Sequence, residues 1–201
     1  MKESRLKKNF ESSVWEALPF FITLLVLAAV ALVLVLLTSP VEKLLGGGAY
    51  AFESALHGLV AGLLMVTVTI GLFEGYRLLI GNIDDIRELI FGSFVNSSLA
   101  FLTIITGNKI YIVYRAKGGP RTYFLENAPE IHKIFFEFKE FVALIVLPLA
   151  VAVTFIFIYY RNDILRRKEF RVISFVLIAL IFFYFVVAFG LGAAITKLKP
   201  V

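Results

Sequence analysis

The chain has 201 residues, 60% of them hydrophobic and 17% charged, with a mean hydropathy of +0.89. That balance excludes an ordinary soluble domain, which is nearer half apolar and a quarter charged. The net charge of +5 does not make it a nucleic-acid binder, because the basic residues sit beside apolar runs, where they flank membrane spans and meet anionic headgroups. The absence of cysteine excludes disulfides, thiol chemistry and cysteine zinc sites.

Met1–Glu16 is polar and amphipathic, with Lys2, Arg5, Lys7 and Lys8 opposite Leu6, Phe10, Val14 and Trp15. Phe20–Leu37 follows, one Thr among apolar residues and no charge. A run of roughly 18 or more apolar residues crosses the ~30 Å hydrocarbon core as a helix. The run exceeds a signal-peptide core and the residues after it make a poor cleavage site, so it reads as a retained signal anchor. The first span is placed at 18–38, and Pro40 and Gly46-Gly47-Gly48 break it.

The second span is placed at 54–80. Ser54, Gly58 and Gly62 form a small-xxx-small stripe suited to close helix packing. Glu53 and His57 share a face at i, i+4; two such side chains do not complete a metal site, and none is assigned. Glu74 and Arg77 close the span as an interfacial ion pair or as part of a polar path. Asp84 or Asp85 then caps the next helix, with acids in its first turn.

The third span, 89–105, has the most polar interior, with Ser93, Asn96, Ser97, Ser98 and Thr103. Such side chains bond across helices or line a wet path. In the extramembrane segment 108–140, Lys109–Arg115 and Arg121–Leu125 flank a Gly-Gly-Pro break, which predicts a small β-hairpin. Glu130–Glu140 reads as an amphipathic lead-in, with Lys133 and Glu137 as an i, i+4 pair. The fourth span, 141–160, contains Pro148 as an expected kink. A basic loop leads to the fifth, 172–196, whose far end is smoothed by Gly190, Gly192, Ala193 and Ala194.

The expected fold is therefore all-α: an integral membrane bundle of about five transmembrane helices in one domain over 1–201, with a small β-hairpin between the third and fourth. Lys and Arg concentrate in the N-terminal tail and in Arg161–Arg171, whereas the first loop has only Lys43. This places the N-terminus in the cytoplasm of a multi-pass cell-membrane protein.

Asn96 to Ile158 resembles a family of small archaeal multi-pass membrane proteins of unknown function. The matching pattern is a polar helix with Asn96 and Thr103, the turn Glu126-Asn127-Ala128-Pro129, and Lys139 at the head of the next helix. The turn departs from the family's Glu-x-Asn-Pro form, and the Asp usual in the first helix is missing. The resemblance covers about a third of the chain and implies no known activity.

No HExxH, GxSxG or phosphate-binding loop is present. The expectation is a protein that is not an enzyme and needs no cofactor or metal. The first functional reading is a small transport or channel-like protein with a polar path through Asn96, Ser97, Ser98, Thr103 and Glu74. The alternative is an accessory subunit that docks a partner through 108–140. The expected partners are the lipid bilayer and either a second copy or another membrane protein.

Overall fold

The computed structural model describes residues 51–198 apart from Asp84, so the first apolar run and the basic N-terminal tail lie outside the described residues. The described elements are α1 (Ala51–Ile80), α2 (Arg87–Arg115), α3 (Pro120–Asn127), a π-helical segment (Ile131–Phe136), α4 (Glu137–Tyr159), the short α5 (Arg161–Ile164) and α6 (Lys168–Leu198). Among the described residues four stretches are long and apolar enough to cross a membrane: Phe52–Ile80, Arg87–Arg115, Ile131–Tyr159 and Lys168–Leu198. At 1.5 Å per residue each is more than about 40 Å long, so its ends project beyond a ~30 Å core.

Consecutive spans run antiparallel, because their contacts step down one helix as they step up the next. His57 meets Thr106 and Gly71 meets Asn96. Ser97 meets Thr154, and Tyr114 stacks on Phe136. Gly75 lies against Ile178, which returns α6 to α1 and closes a ring of four helices. The shared core includes Leu64, Val68, Phe94, Val153, Phe157 and Ile181. On α1 these buried positions recur at helical spacing, and Leu59, Leu63, Val66, Ile70 and Phe73 form an exposed stripe on the other side. In water such a stripe would drive association; in a bilayer it meets acyl chains. Lipid is as apolar as leucine, so packing density and interhelical polar contacts hold these helices together.

The loop chemistry explains the ends. Gly81, at φ +78°, terminates α1, with Gly81 N–H bonded to Leu78 O and Asn82 N–H to Arg77 O. Asp85 Oδ1 accepts the Arg87 N–H at 3.0 Å and so satisfies one open N–H in the first turn of α2, from one residue before the N-cap position, Ile86.

The predicted β-hairpin is absent: the described residues contain no strand, and 108–140 is helical. Lys109–Arg115 continues α2 to its last residue, and Arg121–Leu125 lies in α3. Between them Gly118 takes φ +78° in a turn closed by Gly119 N–H to Ala116 O. Pro120 then starts α3, where a proline's missing N–H costs nothing. Gly-Gly-Pro thus serves a helix–turn–helix as readily as a hairpin. The β-branched and aromatic residues before it remain helical because Thr106 and Tyr114 extend α2's buried face. Strand propensity is a weak term beside that packing.

Candidate functional site

Three polar features stand out against the apolar bundle. The first is a groove of about 310 Å³ between α1 and α2, floored by α4 and α6. Its walls include Val68, Ile70, Phe91 and Val95, and Ala150, Phe157 and Ile181 line its base. Gly92 opens it: a Cβ there would meet nothing within 4 Å. The hydroxyls of two lining residues are already used. Thr67 donates to Leu64 O at 3.2 Å and Ser93 to Ile90 O at 2.8 Å. Asn96 differs. Its Nδ2 lies against Gly71, where an added Cβ would come within 3.0 Å, and its Oδ1 is buried with no hydrogen-bond partner. Glu74 and Glu88 also line the groove, one from each wall.

The second feature lies where α1 begins and α2 ends. Glu53 is 1% exposed and pairs with Lys109 at 3.1 Å, across the two helices. One turn further in, His57 Nδ1 and Thr106 Oγ1 are 3.0 Å apart. Gly107 permits this approach, since a Cβ there would sit 3.1 Å from the imidazole. Thr106 also bonds back to Leu102 O at 2.9 Å.

The third feature joins α2, α3 and the π-helical segment. Tyr114 stacks on Phe136 with ring centroids 4.0 Å apart, and its hydroxyl lies 3.0 Å from His132 Nδ1. Arg121 Nε donates to His132 Nε2 at 3.2 Å. That bond makes Nε2 an acceptor, so the proton sits on Nδ1 and is donated to Tyr114. Glu137 Oε1 is 3.5 Å from Arg115 and 3.6 Å from His132. The expected Lys133–Glu137 pair is not among these contacts. The π-helical register over Ile131–Phe136 shifts the side chains away from ordinary i, i+4 spacing.

The candidate path residues do not share one channel. Asn96 faces α1 and the groove. Ser97 faces α4, 3.1 Å from Thr154 Oγ1. Thr103 bonds its own helix at Leu99 O, and Ser98 is half-buried outside the groove lining. Glu74 pairs with Arg77 at 3.0 Å while also lining the groove. Of the packing stripe, Ser54 is half-buried, and added Cβ atoms at Gly58 and Gly62 would meet nothing within 4 Å. The tight helix approaches occur at Gly71, Gly75 and Gly107. Among the described residues no three His, Asp or Glu side chains converge as a metal site.

Sequence reasoning weighs Glu88, with Asp84 and Asp85, as a cation-attracting cluster and prefers a helix cap, and it does not single out Lys109 as a site residue. Glu53 and His57 are visible as an i, i+4 pair, but their partners are on another helix. An ionisable residue just inside the end of a long apolar helix is the available signal for Lys109. Comparison with family models, curated proteins and solved structures gives no match. The class therefore rests on the molecule itself: among the described residues, four long apolar helices in a ring, the make-up of a helical membrane protein.

Proposed function

We propose that this chain is a small membrane transport protein that takes an apolar or amphipathic solute into the groove between α1 and α2. The observation that carries the reading is the groove itself: about 310 Å³, opened by Gly92, with the unpartnered Asn96 Oδ1 in an otherwise apolar lining. A site that is mostly apolar with a few placed polar groups is the usual form for a small-molecule ligand, and this volume lies at the lower end of the range. The sequence supports an N-terminus on the cytoplasmic side of the cell membrane, through its basic tail and basic Arg161–Arg171 loop.

Vesicles reconstituted with the chain are expected to move a fluorescently labelled single-chain amphiphile between leaflets faster than protein-free vesicles. Gly92→Trp should return the rate to the protein-free value by filling the groove. A rate no faster than in protein-free vesicles, or one that Gly92→Trp leaves intact, would overturn the reading.

A second reading, an accessory subunit docking a partner through 108–140, is favoured by one observation. Ile112, Tyr123, Ile134, Phe135 and Phe138 are all exposed along this helical elbow. A photo-cross-linker at Tyr123 in cells should then give one discrete protein adduct; adducts to lipid alone would exclude it.

A further inference from the structure

We infer that the groove takes an amphiphile with a single apolar chain and a protonated amine head, the head lying between Glu74 and Glu88 and the chain running toward Asn96. The inference rests on the transport reading and specifies its substrate class. Its basis is an inventory of polar groups. Thr67 and Ser93 spend their hydroxyl protons on their own helices. What the groove then offers as acceptors is Asn96 Oδ1 and the Glu88 carboxylate, beside Glu74, whose two oxygens already accept from Arg77 at 3.1 and 3.0 Å. Acceptors call for a ligand that brings donors, and an ammonium brings three with a compensating charge.

The charges point the same way. Among the described residues, the ion pairs on α1 and α2 at this end are Glu74–Arg77 at 3.0 Å and Asp85–Arg87 at 3.3 Å. Each consumes one cation, and Glu88 is left as surplus negative charge on the α2 wall. From α6, Arg171 reaches the Gly81 turn and not the groove lining. An anionic head would meet the surplus Glu88 carboxylate, whereas a cationic one is drawn to it.

Size and position fit as well. Glu88 and Asn96 are eight residues apart on one helix, about 12 Å. Glu74 and Glu88 lie toward the α1–α2 connection, beyond the apolar middle of both helices, so the head sits at headgroup depth and the chain in the bundle. A volume of about 310 Å³ suits one alkyl chain and not a two-chain lipid.

The test uses Gly92→Cys in the full chain, which has no native cysteine, reconstituted in nanodiscs and reacted with a water-soluble maleimide. The probes are dodecylamine, dodecanol and dodecanoate. Lys117→Cys, in the α2–α3 turn, reports any effect of the probes on the membrane as a whole. Dodecylamine is expected to slow labelling at position 92 saturably, at roughly tenfold lower concentration than dodecanol, with dodecanoate weakest, and to leave position 117 unaffected; one charge-assisted hydrogen bond accounts for a difference of that size. Adding Glu88→Gln and Glu74→Gln should bring the amine level with the alcohol. Glu88 is exposed and Glu74 makes only an i, i+3 pair, so these variants keep the fold. If all three probes protect equally, or the double variant keeps the preference for amine, the head-group assignment falls and the groove reading stands. If none protects, both fall.

Discussion

Glu53 and Lys109 show what a single pair contributes in this bundle. Glu53 is 1% exposed and Lys109 19%, so their bond is shielded from water and from lipid headgroups. Breaking a buried ion pair costs up to roughly 3–5 kcal/mol. Lys109→Ala should therefore lower the unfolding free energy in nanodiscs, by up to about 3 kcal/mol. A Lys109→Ala loss under about 0.5 kcal/mol, the range of ordinary surface substitutions, would mean that Lys109 does not compensate Glu53. The pair illustrates the limit of sequence at this scale. Glu53 and His57 are readable together because one helix turn joins them. His57 and Thr106 are 49 residues apart, and Ser97 and Thr154 are 57 apart. No local spacing rule connects such residues.

At the scale of elements, the π-helical segment sets the geometry of the α3 elbow. A π turn carries one residue more than the α-helix needs, and it rotates the chain on its N-terminal side relative to the helix on its C-terminal side. Here it brings His132 beneath Tyr114 and within reach of Arg121. Deleting the exposed Ile134 should restore a plain α-helix and swing His132 away by about 100°, one residue's rotation. Tyr114 and Arg121 would lose their imidazole partner, and α3 would loosen. Limited trypsin digestion at Arg121 should then speed up several-fold, because cleavage follows local opening. An unchanged digestion rate would show that α3 is held by its apolar contact at Phe124 and not by the histidine bridge. The same elbow reads from sequence as a hairpin. Val, Ile and Tyr around Gly-Gly-Pro satisfy both templates, and the choice depends on whether Tyr114 finds a buried partner. Phe136 and Phe124 supply one.

At the scale of the whole molecule, the ring that four antiparallel helices form among the described residues makes a prediction about sidedness. Lys117, in the α2–α3 turn, and Arg166, between α5 and α6, lie at opposite ends of α4. If all four helices cross, single cysteines at these two positions must react with an impermeant maleimide from opposite sides of sealed vesicles. Labelling of both from one side would mean that the α4 stretch does not cross. The groove also belongs to this scale, because Gly71, Gly92 and Phe157 come from three different helices to line it. Asn96 is marked by its polarity within an apolar run, which is a sound local signal. Its separation from Ser97, one toward α1 and the other toward α4, is not legible: adjacent residues on a helix point about 100° apart, and only the neighbours decide which of the two meets a groove.

By itself the sequence determined the solvent and the secondary structure of the spans. Hydropathy is a sum over neighbouring residues, and a run long enough to cross a bilayer must satisfy its backbone internally, as a helix does. It also marked the α1–α2 connection, through the span end at Ile80 and Asp85, because turns are local chemistry, whereas Pro120 reads as a hairpin break and not as the start of a helix. Only the tertiary structure decided what those helices make together: the Glu53–Lys109 pair, the Tyr114–His132–Arg121 bridge, and a groove lined by Asn96, Glu74 and Glu88 in otherwise apolar walls. Each of these is a relation between distant residues, and packing alone brings them within hydrogen-bonding range.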